Sequence, residues 1–138
     1  MRIMAIDYGD AHTGIAISDP TGCLAGYTTV INAYRPEVVA DQIAALVKEH
    51  GVEELVLGHP INMDGTRGPR SEKAHSMKAL LEERTSLPVV LWDERRTTID
   101  AHQILFNSGK NAKQRKKVVD AVAASLILEG YLTFKKSH

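Results

Sequence analysis

The stretch that decides the fold is Ile3-Met-Ala-Ile-Asp7-Tyr-Gly9-Asp-Ala-His-Thr-Gly14-Ile-Ala-Ile-Ser-Asp19. It begins with a short apolar run, which predicts a buried strand, and the run ends in the acid Asp7. Gly9 and Gly14 bracket a tight connection to a second apolar run that starts at Ile15, so the stretch predicts a β-hairpin. A carboxylate at the carboxyl end of a central strand either caps the turn or faces a bound group. This stretch alone leaves both readings open.

Length and composition limit the class of protein. The chain has 138 residues, which predicts one domain spanning residues 1–138, and its 43% hydrophobic and 25% charged content is typical of soluble globular proteins. The formal net charge is zero, so any nucleic-acid-binding surface must be a local patch. Cys23 is the single cysteine, which excludes an internal disulfide, and no apolar run approaches the length of a membrane span. We therefore expect a cytoplasmic protein without membrane contact.

The rest of the chain alternates between strand and helix patterns. Gly51 follows a helical apolar pattern and predicts a C-terminal cap, and the strand after that helix is expected to run parallel to the first. The predicted elements are a strand over 23–31, a helix over 37–50, a strand over 54–57 that stops at Gly58, a helix over 71–86, a strand over 89–92, a helix through 99–105, and a final helix over about 116–134.

A polar loop is predicted over residues 59–71. A connection of this length is unusual in a compact domain and suggests a functional loop. Asn62, Thr66 and Arg67 lie in the loop and offer donors and positive charge for the backbone of a substrate. The alternative is a surface loop without a role.

Five basic residues fall within eight positions. This segment is either a solvated face that also interacts favourably with a helix end, or a surface that contacts phosphates. Its members are Lys110, Lys113, Arg115, Lys116 and Lys117.

Acidic residues recur where predicted elements end or begin. Asp7 ends the first strand, Asp93-Glu94 follows the fifth, and Asp120 lies among Val and Ala residues of the final helix. Because parallel strands end on the same side of a sheet, we expect these acids to gather there, around a hard divalent cation such as Mg²⁺ or Mn²⁺. Such a site supports phosphoryl displacement. The alternative for Asp120 is an acid in the first turn, stabilised by the helix N-terminus.

Four ordered motifs extend over nearly the whole chain. They are Asp7-x-Gly9 with Gly14-Ile-Ala-Ile-Ser-Asp19, Gly58-x-Pro60-x-Asn62-Met-Asp64-Gly65-Thr66-x-x-Gly68, Asp93-Glu94-Arg95-x-Thr97-Thr98, and Lys117-x-x-Asp120-x-x-Ala123-Ala124 with Ile127-Leu128-x-x-Tyr131-Leu132. Together they resemble the YqgF (RuvX) family, whose members are described as Holliday junction resolvases or pre-ribosomal-RNA nucleases.

The resemblance implies an α/β fold of the ribonuclease H-like type, a five-stranded mixed sheet with an antiparallel second strand and helices on both faces. It implies a phosphodiester hydrolase with a two-metal-type mechanism, in which Asp7, Glu94 and Asp120 hold Mg²⁺ or Mn²⁺ and are catalytic. Whether Asp93 or Glu94 is the site acid stays open, since side chains alternate along a strand. The expected substrate-binding residues are Asn62, Thr66, Arg67, Arg95, Lys113, Lys116 and Lys117.

The implied partner is structured nucleic acid, either RNA or branched DNA. The implied roles are 5′-end processing of precursor small-subunit ribosomal RNA or Holliday junction cleavage, by a monomer or a homodimer. His12 departs from the family pattern, which usually has Arg there, as do His59 and Arg96, where Leu is common. Two alternatives are a non-catalytic RNA-binding or ribosome-assembly factor on the same fold and an actin-like phosphate-binding protein. The short chain argues against the second.

Overall fold

The computed structural model describes residues 2–9, 11–19, 25–59, 69–93 and 112–137. Within these ranges the elements follow the predicted alternation of strands and helices. They are β1 (Arg2–Asp7), β2 (His12–Ser18), β3 (Ala25–Asn32), α1 (Pro36–His50), β4 (Val52–His59), α2 (Pro69–Thr85), β5 (Val89–Asp93) and α3 (Ala112–Ser137).

The five strands form one mixed sheet in the order β3-β2-β1-β4-β5. β2 is antiparallel to both β1 and β3, and β1, β4 and β5 are parallel. The predicted mixed sheet with an antiparallel second strand is therefore confirmed. β1, β4 and β5 all finish at one end of the sheet, where β2 begins and β3 finishes. We call this the carboxyl end of the sheet.

Helices cover both faces of the sheet, as expected. Side chains of β1 alternate, so that Met4 and Ile6 face one side while Ile3 and Ala5 face the other. α1 and α2 pack on the first side, and α3 packs on the second. The first core cluster comprises the α1 and α2 residues Val39, Ala40, Ile43, Ala74, Met77 and Leu81 with Met4, Ile6, Ile15, Ile17, Ile31, Val52, Leu55, Leu57 and Val89. The second core cluster comprises Ile3, Ala5, Ala16 and Val56 with Ala124, Ile127, Leu128, Tyr131 and Leu132 of α3.

Several predicted boundaries were wrong, and three of them bear on the site. β4 does not stop at Gly58 but continues to His59, because its ladder with β5 pairs Gly58 with Trp92. α2 begins at Pro69, two residues earlier than predicted, and proline suits a first helical turn because its missing N–H has no intrahelical acceptor there. α3 begins at Ala112 instead of about 116, so most of the basic segment is helical.

Other predicted ends differ by one to three residues, as at the start of β4 and the end of α3, whereas the end of α1 at His50 agrees. Gly51 ends α1 in a left-handed conformation with φ 67° and donates its N–H to the Val47 carbonyl, which confirms the predicted cap. The helix expected through 99–105 and the loop residues 60–68 lie outside the described residues. No helix in the described ranges combines the length and apolar character needed to cross a membrane.

Candidate active site at the carboxyl end of the sheet

Asp7 is the last residue of β1, the middle strand of the sheet. Ile3 and Ala5 belong to the second core cluster, which lies between the sheet and α3. Because side chains alternate along a strand, position 7 is on this same face of the sheet. The residue is half-buried, and the described part of the chain provides no hydrogen bond or ion pair to its carboxylate. A carboxylate that ends a central strand and has no partner among the described residues is suited to bind a cation.

The strand positions beside Asp7 carry no side chains. On β2 the residue paired with Asp7 is Gly14. On β4 the pair Ile6 with Leu57 is followed by Gly58, which therefore comes next to Asp7. On both neighbouring strands, therefore, no side chain projects beside the carboxylate at these paired positions. Sequence reasoning missed this role, because it assigned Gly14 to a turn and Gly58 to a strand end, whereas both lie within strands.

Gly9 closes the hairpin that carries Asp7. A Cβ atom at this position would lie 2.4 Å from the carbonyl oxygen of His12, closer than any side chain tolerates. The connection between β1 and β2 can therefore be this tight only with glycine. The hairpin fixes both the end of β1 and the beginning of β2.

His12 and Asn32 form a side-chain pair at the same end of the sheet. His12 lies two residues before Gly14, so it is on the face of Asp7. Its Nδ1 is 2.6 Å from Asn32 Oδ1. An amide oxygen only accepts, so Nδ1 is the donor and Nε2 is left available to another group. The strand predicted over 23–31 ends before Asn32, so the sequence pattern did not reveal this pair.

Asp120 lies on the part of α3 that leads towards the carboxyl end. Ala124 packs with Ala5 of β1 in the second core cluster, and Asp120 precedes Ala124 by about one helical turn. Further along α3, Tyr131 hydrogen-bonds Glu54 near the start of β4. α3 therefore runs antiparallel to β1 and β4, and its backbone before Ala124 extends in the direction in which β1 proceeds to Asp7.

The interpretation of Asp120 as an acid in the first turn was wrong. α3 starts at Ala112, so Asp120 is eight residues into the helix, and the first turn has no acidic residue. The influence of a helix N-terminus fades within the first turn. A dipole interaction therefore gives no reason for an acid at position 120.

Several predicted site residues are outside what the structure describes. Glu94, Asn62, Thr66, Arg67 and Arg95 are in this group, and their roles stay predictions. Asp93 ends β5, and its backbone pairs with that of His59. Lys113, Lys116 and Lys117 have helical backbone in the first turns of α3. Among the described residues, no group of three or more acidic, His or Cys side chains could hold a metal ion.

Comparison with known proteins places this geometry in context. The family model described as "RuvX: Holliday junction resolvase" matches residues 1–134. A protein of Halothermothrix orenii named "Putative pre-16S rRNA nuclease" is 44% identical over 135 residues, covering 98% of this chain and 96% of that protein.

Solved structures resemble the whole chain at low identity. Thermus thermophilus RuvC in complex with Holliday junction substrate has a TM-score of 0.65 and 13% identity, covering 99% of this chain and 96% of that one. The fowlpox virus resolvase with Holliday junction DNA has a TM-score of 0.55 and 11% identity, covering 99% and 98%. At these identities the likeness shows the fold, which is the expected ribonuclease H-like fold of such resolvases.

Proposed function

The chain belongs to the RuvX family, and from that membership we propose that it is a nuclease that hydrolyses phosphodiester bonds in structured nucleic acid. The name of its Halothermothrix relative favours processing of precursor small-subunit ribosomal RNA, and we propose that this processing is at the 5′ end. The family description favours cleavage of branched DNA. The same proposal includes a cytoplasmic location and action as a monomer or homodimer.

The observation that carries the proposal is the setting of Asp7. Its carboxylate ends the central strand, has no hydrogen bond or ion pair among the described residues, and has Gly14 beside it on β2. A purely structural acid would be expected to have a donor within reach, because an unpaired carboxylate in a half-buried position is unfavourable. Glycine on the neighbouring strand and a carboxylate without a partner in the described part of the chain suit a bound cation.

The donor chemistry fits a hard divalent cation. We propose that Asp7, Glu94 and Asp120 hold Mg²⁺ or Mn²⁺, which prefer carboxylate oxygens, in a two-metal-type site. When bound, such ions activate the attacking water and stabilise negative charge on the phosphoryl oxygens. The alternation of side chains along β5 favours Glu94 over Asp93. Trp92 packs against Tyr131 and is therefore on the face that α3 covers, which is also the face of Asp7. A side chain two positions later, at 94, would be on that face too.

The remaining predicted residues would hold the substrate. In a helix, positions 113, 116, 117 and 120 recur at three- and four-residue spacing and share one face, which continues into the buried residue Ala124. Basic residues at three of these positions would meet phosphates next to the acids. Asn62, Thr66, Arg67 and Arg95 would position the backbone of the substrate.

The test is a cleavage assay with purified protein, using junction DNA and structured ribosomal RNA precursor in parallel, with Mg²⁺ or Mn²⁺. We expect the wild-type protein to cleave one of the two substrates. Asp7→Asn keeps the size of the side chain but removes the charge, so we expect it to bind nucleic acid without cleaving it. Its melting temperature without divalent cations should be equal or higher, since removing one of several neighbouring carboxylates relieves repulsion.

Two outcomes would count against the proposal. A destabilised Asp7→Asn protein that still cleaves at the wild-type rate would remove Asp7 from the reaction. Tight binding of nucleic acid without turnover, with every cation and substrate, would indicate the alternative of a non-catalytic assembly factor. Family membership with resolvases argues against the actin-like alternative.

A further inference from the structure

An exposed aromatic residue lies at the same end of the sheet as Asp7. Tyr34 belongs to the short connection between β3 and α1, and 80% of the residue is exposed. The other large hydrophobic residues exposed in the described part of the chain reach at most 43%. No hydrogen bond or ring contact to Tyr34 exists among the described residues, so packing within the fold does not explain its position.

The connection that carries Tyr34 is fixed on both sides. Ala33 N–H donates to the Ala11 carbonyl at 3.1 Å, and the Arg35 carbonyl accepts from Val39 N–H at 3.1 Å. Arg35 has extended backbone (φ −83°, ψ 127°) and is followed by Pro36 in the first turn of α1. The ring is therefore displayed on an ordered support, which reduces the entropy lost when a ligand binds.

Tyr34 is within reach of the candidate active site. Val30, Gly14 and Asp7 lie in one row across β3, β2 and β1, and Tyr34 follows Val30 by four residues. Strand spacing and rise put Tyr34 on the order of 15 Å from Asp7. A nucleic acid strand covers that distance with a few nucleotides.

Positive charge accompanies the ring. Arg35 is exposed, and the described residues give its side chain no ion pair. Arg35 follows Tyr34 directly in the sequence. Proteins that bind single-stranded nucleic acid combine exposed rings, which stack on bases, with cations that contact the backbone. Among the large hydrophobic residues that are exposed in the described ranges, Tyr34 alone lies at the carboxyl end with a cation next to it in sequence.

We propose that Tyr34 and Arg35 form a binding platform for an unpaired nucleotide of the substrate, a few nucleotides from the bond that is cleaved. The Tyr34 ring stacks on the base, and the Arg35 guanidinium contacts the adjacent phosphate. This inference rests on the proposed nuclease function and narrows its substrate to nucleic acid with an unpaired segment beside the cleavage site. Stacking does not read base identity, so the platform would select for an unpaired base without a sequence preference.

Binding without divalent cations tests the platform separately from cleavage. The substrates are a duplex with an unpaired segment and a continuous duplex of the same length, each carrying a fluorescent label for anisotropy. We expect Tyr34→Ala to weaken binding of the first by about 5- to 150-fold, the range for loss of one stacked base, and to leave the second unchanged. Tyr34→Phe keeps the ring and should bind as the wild type does.

Two further variants sharpen the test. Tyr27→Ala is the matched control, because Tyr27 is also exposed but lies near the other end of β3, with its ring 4.7 Å from that of His50. It should bind both substrates normally. Arg35→Ala should lower the slope of log affinity against log salt by about one unit.

A base analogue gives a direct readout of stacking. With 2-aminopurine placed at successive unpaired positions, quenching should appear at one position in the wild type and disappear in Tyr34→Ala. If wild-type protein cleaves but Tyr34→Ala binds normally, or loses both substrates equally, the platform is wrong and the nuclease proposal stands. If the quenching depends on Tyr34 but no substrate is ever cleaved, the platform stands and the nuclease proposal fails.

Discussion

At the residue scale, the hairpin depends on the missing side chain of Gly9. A Cβ atom there would meet the His12 carbonyl oxygen at 2.4 Å, and a backbone carbonyl in a hairpin cannot turn away. We expect Gly9→Ala to lower the free energy of unfolding by about 1–3 kcal/mol, as overpacking does, and to reduce cleavage because Asp7 shifts with the hairpin. Urea unfolding and the cleavage assay measure the two effects.

Gly51→Ala is the matched control. Position 51 also favours glycine, but the reason is its positive φ of 67°. A Cβ atom at this position would meet nothing within 4 Å. Its replacement should cost about 1–2 kcal/mol for the left-handed backbone while cleavage by the folded protein stays normal. Equal activity of the two variants would show that the hairpin tolerates the shift.

For Asp120, the structure excludes the role of an acid in the first turn of α3. Since α3 begins eight residues before it, Asp120→Asn should not cost the roughly 0.3–1 kcal/mol of a lost interaction with the helix N-terminus. We expect stability without divalent cations to be equal or higher, through relief of carboxylate repulsion, and the stabilisation by Mn²⁺ to be lost. Thermal melting with and without Mn²⁺ measures both.

Asp41→Asn provides the comparison for Asp120. Asp41 is exposed on α1 and pairs with Arg84 at 2.9 Å, so its replacement should cost about 0–1 kcal/mol and leave the Mn²⁺ effect intact. If Asp120→Asn behaved in the same way, Asp120 would be a structural residue and not a metal ligand.

At the scale of elements, α3 is anchored at the end remote from the candidate site. Tyr131 Oη donates to Glu54 Oε1, and Lys135 Nζ lies 2.9 Å from Glu54 Oε2. The Glu54 side chain is only 12% exposed, and these two partners meet its two carboxylate oxygens. Because the anchor fixes α3 against β4, it also sets where the helix approaches the carboxyl end.

Tyr131→Phe should weaken this anchor. Losing a hydrogen bond to a charged group should lower the free energy of unfolding by about 1.5–3 kcal/mol near neutral pH. Burial, together with the hydrogen bond to Glu54 and its charge, raises the pKa of Tyr131 above the usual value. The contribution is therefore complete below about pH 10, the ordinary tyrosine pKa, and declines as the pH rises above it.

Urea unfolding at pH 7 and above pH 10 tests the sign of this dependence. The wild type should lose part of its advantage over Tyr131→Phe at the higher pH. Lys135→Ala, which removes an exposed ion pair to the same carboxylate, should cost only about 0–1 kcal/mol at pH 7. A difference between wild type and Tyr131→Phe that grows above pH 10 would contradict the proposed linkage.

The sequence predicted features that depend on a local pattern and missed features that depend on how strands pair. The apolar run before Asp7 and the glycine cap at Gly51 are local signals, and both were confirmed. The first turns of α3 have good helix formers but no apolar periodicity, so hydrophobic pattern alone began the helix too late. The positions of Gly14 and Gly58 beside Asp7 depend on strand register, which the sequence of one strand does not contain.

At the scale of the whole molecule, positive charge is distributed unevenly. The net charge is zero, yet four basic residues, Lys113, Arg115, Lys116 and Lys117, lie in the first turns of α3. α3 approaches the carboxyl end with this part of the helix, and Arg35 lies at the same end. A nucleic acid would therefore be attracted to one end of a protein whose net charge is zero. The affinity should depend on salt concentration only as strongly as a small number of phosphate contacts requires.

The double variant Lys113→Ala with Lys116→Ala tests this arrangement. Each phosphate contact contributes about 0.9 to the slope of log affinity against log salt for duplex DNA, and about 0.7 for single strands, so the slope should fall by about 1.4–1.8 units. Affinity should fall about equally for all sequences, because phosphate contacts carry no direct sequence information. Anisotropy titrations at several salt concentrations measure the slope.

The control has to remove the same charge elsewhere. Lys48→Ala with Lys78→Ala does so on α1 and α2, which cover the opposite face of the sheet. Each double variant lowers the net charge of the protein by two. If binding depended only on the net charge, both variants would weaken it equally. If the α3 positions contact phosphates, only the first variant changes the slope. Unchanged affinity of the first variant at low salt would make the basic segment a solvated surface and would leave phosphate binding to the other proposed cations, Arg35, Arg67 and Arg95.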